Sequence, residues 1–81
     1  MSYCRFAENE SDVYLYDHVE RYFECCACSL SGNRTSTQMS TIPEVLRHLN
    51  NHIEKGDLVP GYAFARLEEE AIEEIIEIIK Q

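Results

Sequence analysis

The sequence predicts an α+β fold: a β-hairpin, a helix held against it, and a second, amphipathic C-terminal helix. Three observations carry the prediction. Cys25-Cys26-Ala27-Cys28 is followed, after nineteen intervening residues, by His48-Leu49-Asn50-Asn51-His52. Thr41-Ile42-Pro43-Glu44 has the pattern of a helix start, and apolar residues recur at helical spacing from Phe64 to Ile79. The first observation is also chemical. Two cysteines in C-x-x-C spacing and two histidines four apart form the ligand set of one tetrahedral zinc ion. The cysteines fit a tight turn that aims both sulfurs at one point. The histidines stand one helical turn apart on the same face.

The elements follow in chain order. Residues 1–12 are mostly polar apart from Tyr3, Cys4, Phe6 and Ala7 and read as an N-terminal arm or edge segment. Val13-Tyr14-Leu15-Tyr16 is β-branched and aromatic, which favours a strand. Alternation puts Val13 and Leu15 on one face, and Tyr14, Tyr16 and His18 on the other. Residues 17–21 are polar enough to turn, and Tyr22-Phe23-Glu24-Cys25 reads as the returning strand, delivering the cysteines at its end.

Residues 29–37 are rich in Ser, Thr, Gly and Asn and read as a loop turning at Gly32-Asn33. Thr41 then suits an N-cap, Glu44 completes a capping box, and Pro43 fits a first helical turn. This helix is predicted to run to about Lys55, with Gly56 just past its end. Its apolar positions Ile42, Val45, Leu46, Leu49 and Ile53 share a broad side with His48 and His52. After a linker over 57–61, a second helix is predicted over 62–81. Phe64, Leu67, Ala71, Ile75 and Ile78 mark one stripe, with Ile72, Ile76 and Ile79 beside it. Six glutamates, Glu68, Glu69, Glu70, Glu73, Glu74 and Glu77, cover the other side. The whole is expected to be one domain, with 13–56 as its metal-binding unit.

Composition narrows the function classes. Eighty-one residues build a modest core, for which small domains commonly need a metal, a disulfide or a partner. Fifteen acidic against seven basic side chains give a formal charge of −8. That disfavours general phosphate-backbone binding, which needs clustered cations. No stretch is long and apolar enough to span a membrane. The N-terminus lacks the layout of a signal peptide. The expectation is a cytoplasmic protein whose four cysteines are reduced and available as ligands. The competing structural reading makes the cysteines small buried core residues and the histidines ordinary helix residues. A redox reading of the C-x-x-C lacks its usual βαβ surroundings.

Residues 22–52 go further and resemble a Cys₂His₂ finger of the familiar ββα kind. Met39, five residues, Val45, two residues and then His48 and His52 reproduce its helix-side pattern, and Phe23 stands two before the first cysteine. The longer gap between Cys28 and His48, and Met39 in place of an aromatic, are departures from that pattern. The resemblance implies one structural zinc held by Cys25, Cys28, His48 and His52, with every position filled by protein and no enzyme activity. Aligned on His48, the base-reading positions of a DNA-binding finger fall on Thr41, Glu44 and Arg47. Residues 41–55 offer only Arg47 and Lys55 as cations, so a protein-interaction module is favoured over sequence-specific DNA binding. The distal isoleucines Ile72, Ile75, Ile76 and Ile79 extend further than a small finger can cover. They predict an interface and self-association as a two-fold homo-oligomer. Cys4 reads as a structural or free thiol, and Cys26 as pointing to the opposite face of its strand.

Met1-Ser2-Tyr3-Cys4-Arg5-Phe6, Asp12-Val13-Tyr14-Leu15-Tyr16 and Lys55-Gly56-Asp57-Leu58-Val59-Pro60 resemble small proteins encoded by phages of actinobacteria. That resemblance implies a phage accessory protein in the host cytoplasm and names no partner; a host or phage protein is the candidate. It implies no catalytic residue.

Overall fold

The computed structural model describes residues 2–17 and 22–80. Within them the order is β1 (Ser2–Cys4), β2 (Tyr14–Asp17), β3 (Phe23–Cys26), β4 (Thr37–Met39), α1 (Ile42–Lys55) and α2 (Gly61–Lys80). The four strands form one antiparallel sheet in the order β1-β2-β3-β4. The expected α+β architecture is present: strands first, then two helices. The turn expected over 17–21 lies, beyond Asp17, outside the described residues, as does His18.

The β2–β3 hairpin follows the predicted alternation. Val13 and Leu15 are buried, while Tyr14 and Tyr16 are only partly covered on the opposite face. Leu15 sits opposite Cys25, and Tyr16 opposite Glu24, whose carboxylate accepts a short hydrogen bond from the Tyr16 hydroxyl. Two features go beyond the sequence reading. Residues 2–4, read as an arm or an edge segment, form the edge strand of the sheet. Tyr3 and Cys4 are buried because α2 covers them, and residues 7–11 turn the chain back with Asn9 in the left-handed region that Asn tolerates. Residues 37–39, which the sequence assigned in part to a loop, form β4. Phe23 pairs with Met39 and Cys25 with Thr37, so the strands that bracket the cysteines are β3 and β4.

Helix α1 begins as its sequence dictates. Thr41 is extended, and its hydroxyl accepts from the Glu44 amide. The Glu44 carboxylate in return accepts from the Ser40 amide at 3.3 Å. Ile42, Val45 and Leu49 are buried and Leu46 is half-buried, but Ile53 is 46% exposed. His52, not Ile53, occupies the inward position of the last turn. Gly56 closes the helix at φ 105°, its amide bonding Ile53 O while the Asp57 amide bonds His52 O. This is the Schellman arrangement, which needs a left-handed residue where glycine carries no penalty.

Helix α2 packs its first half on β1 and α1. Ala63 and Leu67 are fully buried, with Phe64 and Ala71 against the core. Tyr3 ties the helix to the sheet. Its hydroxyl donates to Glu70 at 2.5 Å, and the Arg66 guanidinium lies 5.7 Å above its ring. From Ile72 to Lys80 every residue is exposed. The segment between the helices is pinned to the β1–β2 connection: the Asp12 amide donates to Leu58 O at 2.8 Å, and the Leu58 amide to the Asp12 carboxylate at 2.7 Å.

The two halves of α2 are expected to differ in stability. Leu67→Ala removes a fully buried side chain and should cost about 2–4 kcal/mol by urea unfolding. The same truncation at Ile72, 58% exposed, should cost less than about 1 kcal/mol at concentrations where the protein is dilute.

Candidate metal centre

The β3–β4 turn and the last two turns of α1 meet at one point. Cys25 is the third residue of β3. The turn after the strand brings Cys28 back beside it, through Ala27 at φ 45°. The loop that follows is shaped by its own backbone. The Cys28 amide donates to Thr35 O, the Ser31 amide to Cys28 O, and the Arg34 amide to Ser31 O, which leaves Gly32 and Asn33 at the centre of a turn. The extra residues between Cys28 and His48 are thus accommodated in a closed loop, and β4 returns the chain to the start of α1.

The structure brings Cys25, Cys28, His48 and His52 together. Their ligand atoms all lie within 4.8 Å of one another, and both cysteines and His52 are buried. The individual edges are informative. Cys25 Sγ lies 3.6 Å from His52 Nε2, and Cys28 Sγ lies 3.4 Å from His48 Nε2 and 3.5 Å from His52 Nε2. The two Nε2 atoms are 3.1 Å apart. A tetrahedral zinc with Zn–S of about 2.3 Å and Zn–N of about 2.05 Å has S···N edges of about 3.6 Å and N···N edges of about 3.3 Å. The donor set and its spacing therefore fit a four-coordinate ion.

The proton arrangement points the same way. His52 Nδ1 lies 2.8 Å from Asp57 Oδ2. A carboxylate at neutral pH only accepts, so Nδ1 carries the hydrogen and Nε2 presents its lone pair to the cluster. Ser29 donates to the same carboxylate oxygen, at 2.5 Å. These two hydrogen bonds, His52 first, hold the Asp57 carboxyl below its ordinary range. Lys55 supports the corner by donating from Nζ to Ser29 O at 3.0 Å. A histidine ligand oriented by a carboxylate on its far nitrogen is the usual outer arrangement of a metal site.

Without a cation the cluster is electrostatically awkward. Burial, reinforced by the neighbouring Cys28, pushes the Cys25 thiol well above its ordinary value. Burial, then the neighbouring His52, lowers the basicity of His48. Both shifts favour the uncharged forms of Cys25 and His48, in a cluster whose two Nε2 atoms lie 3.1 Å apart. A divalent ion relieves all of this by converting thiols to bound thiolates.

Asp57 and Ser29 were missed by sequence reasoning, which left one in a linker and the other in a loop. A signal for Asp57 exists: in a helix ending at glycine, the Schellman turn folds the second residue after the helix back over the fourth-last, here His52. Thr41 and Glu44, the first two base-reading candidates, are occupied with each other and with Ser40 in the capping box; Arg47 is exposed. Cys26 is half-buried opposite Tyr14, and Cys4 is buried opposite Leu15; neither belongs to the cluster. Comparison with family models, curated proteins and solved structures returned no match.

Two outcomes are expected. Asp57→Asn should weaken metal affinity by about 10–100-fold in a chelator competition, because the amide no longer fixes the His52 tautomer. The pH response should reverse with metal. In the metal-free fold a raised Cys25 pKa contributes stability below the ordinary thiol value of about 8.5 and loses it as pH rises. Metal affinity should instead rise from acid to neutral pH as protons leave the ligands. Thermal melts with and without zinc across pH read both signs.

Proposed function

We propose that the protein is a non-enzymatic, zinc-clasped binding module. The observation that carries this is the four-donor cluster: two sulfurs and two imidazole nitrogens at the edge lengths of a tetrahedral ion. The S₂N₂ set selects zinc among divalent metals. Four protein donors fill the coordination sphere, so the ion is structural; a catalytic zinc keeps one position for water or substrate. Its work is to join the β3–β4 turn to the end of α1, in a chain whose buried core is small.

Protein partners are favoured over nucleic acid. The formal charge is −8, and of the three positions where a DNA-binding finger reads bases, Thr41 and Glu44 are engaged in capping. Arg47 alone gives a weak contact set. The exposed isoleucines at the end of α2 supply the contact surface in this reading. The sequence resemblance to actinobacteriophage proteins supports the further reading of a phage accessory protein in the host cytoplasm, where thiols stay reduced for zinc.

The deciding experiment is native mass spectrometry at neutral pH. The expected result is one zinc per chain, lost in Cys28→Ser and in His48→Ala. Strong chelator should abolish much of the helical circular dichroism, and zinc should restore it. A folded protein that carries no metal and whose spectrum ignores chelator would overturn the proposal. Any binding to duplex DNA should be weak and should vanish with salt.

A further inference from the structure

Beyond Ala71, α2 leaves the body of the protein and carries its isoleucines into solvent. Ile72, Ile75, Ile76 and Ile79 are 58, 57, 44 and 76% exposed. They do not continue the core-facing line of the helix. At roughly 100° per residue, their centre lies about 130° round the axis from Leu67, which is fully buried. The sheet and α1 therefore cannot reach this strip while Leu67 stays in the core.

Its spacing is specific. Ile72-x-x-Ile75-Ile76-x-x-Ile79 reads the same in both directions about the midpoint between Ile75 and Ile76. A two-fold interface requires this property, since each residue that contacts a second must be contacted by it in turn. We propose that the strip is covered by the same strip of a second copy, with the two α2 ends antiparallel. Ile72 of one copy then packs against Ile79 of the other, and Ile75 against Ile76. The flanks agree. Lys80 lies on the same side of the helix as Glu69 and Glu73, and the antiparallel two-fold sets Lys80 beside those glutamates of the second copy. The four isoleucines expose on the order of 400 Å² per chain, and the flanking stems bring a pair to about 1,000 Å², the lower bound of a specific interface. The dimer is accordingly weak and reversible. Each chain carries −8, so it tightens as salt screens the like charges.

This rests on the reading of the protein as an interaction module and names the partner surface. The test is sedimentation velocity of the full zinc-loaded chain over a wide concentration range, at low and high salt. Metal content is measured on the same samples, so a failed zinc site is scored separately from a failed interface. The expected result is a monomer–dimer equilibrium that strengthens with salt. Ile76→Lys, at the centre of the strip, should raise the dissociation constant tenfold or more, at about 1.4 kcal/mol per decade. Ile78→Lys, at a more exposed isoleucine off the strip, should leave it within about twofold. Circular dichroism of both variants checks that α2 stays helical. A monomer at all concentrations would overturn the proposal. So would equal loss in both variants, assembly beyond a dimer, or a monomer that instead binds a lysine-rich amphipathic helix.

Discussion

Four side-chain ligand atoms, those of Cys25, Cys28, His48 and His52, meet between a turn and a helix end. Cys25 and Cys28 belong to the hydrophobic core as well as to the metal cluster, and His52 is buried beside them. The apolar interior and the polar centre are therefore one body. Such an arrangement is unfavourable when the donors are uncharged and crowd one another, and favourable when a cation stands between them. The local structure is built to that end. Ala27 accepts a left-handed backbone so that the second sulfur faces the first, and the Schellman turn after α1 returns Asp57 to fix the proton on His52. An alanine at φ 45° costs on the order of 1 kcal/mol, a strain tolerated where the surrounding geometry demands it.

Much of this was legible in the sequence because it rests on short-range rules. The two ligand pairs, the Thr41 cap and Gly56 are local patterns, and each appears where its spacing predicted, although the Glu44 carboxylate takes the Ser40 amide rather than that of Thr41. The alternation of Val13 and Leu15 against Tyr14 and Tyr16 was legible for the same reason: period two is a property of the strand itself. What was not legible depended on partners distant in the chain. Residues 2–4 look like a polar arm until α2 covers Tyr3, and Tyr3 meets Glu70 across sixty-seven positions. β4 is a three-residue strand with two polar residues, whose membership in the sheet shows only in its pairing with Phe23, Glu24 and Cys25. Ile53 looked like core by its periodicity. It is exposed because His52, a member of the Cys/His cluster, takes the inward position of the last turn.

The two ends of α2 obey different physics. The first half is a core helix, held by Leu67, Ala63 and the Tyr3 contacts. The second half has no such support. Its charges add none: Glu69 and Glu73, Glu70 and Glu74, and Glu73 and Glu77 are like-charge pairs four apart, each unfavourable by a few tenths of a kcal/mol. Glu77 also stands near the negative end of the helix dipole, with Lys80 alone to offset it. Isoleucine is only a moderate helix former, because branching at Cβ restricts its side chain.

A helical end with unfavourable charge pairs and an uncovered apolar strip has two stable outcomes: it frays, or something covers the strip. The charges bear on which. Like charges on the outer face weaken the isolated helix, but they also keep the strip from packing indiscriminately, since only a pairing that leaves the glutamates in solvent is permitted. An antiparallel two-fold meets that condition, because the Glu70, Glu74 and Glu77 side of each helix points away from the isoleucines. Burying the strip would then supply the stabilisation that intrinsic propensity withholds. Order in the last turns of α2 and association of the chains would then be a single equilibrium, anchored at one end by the core that carries the Cys25, Cys28, His48 and His52 cluster.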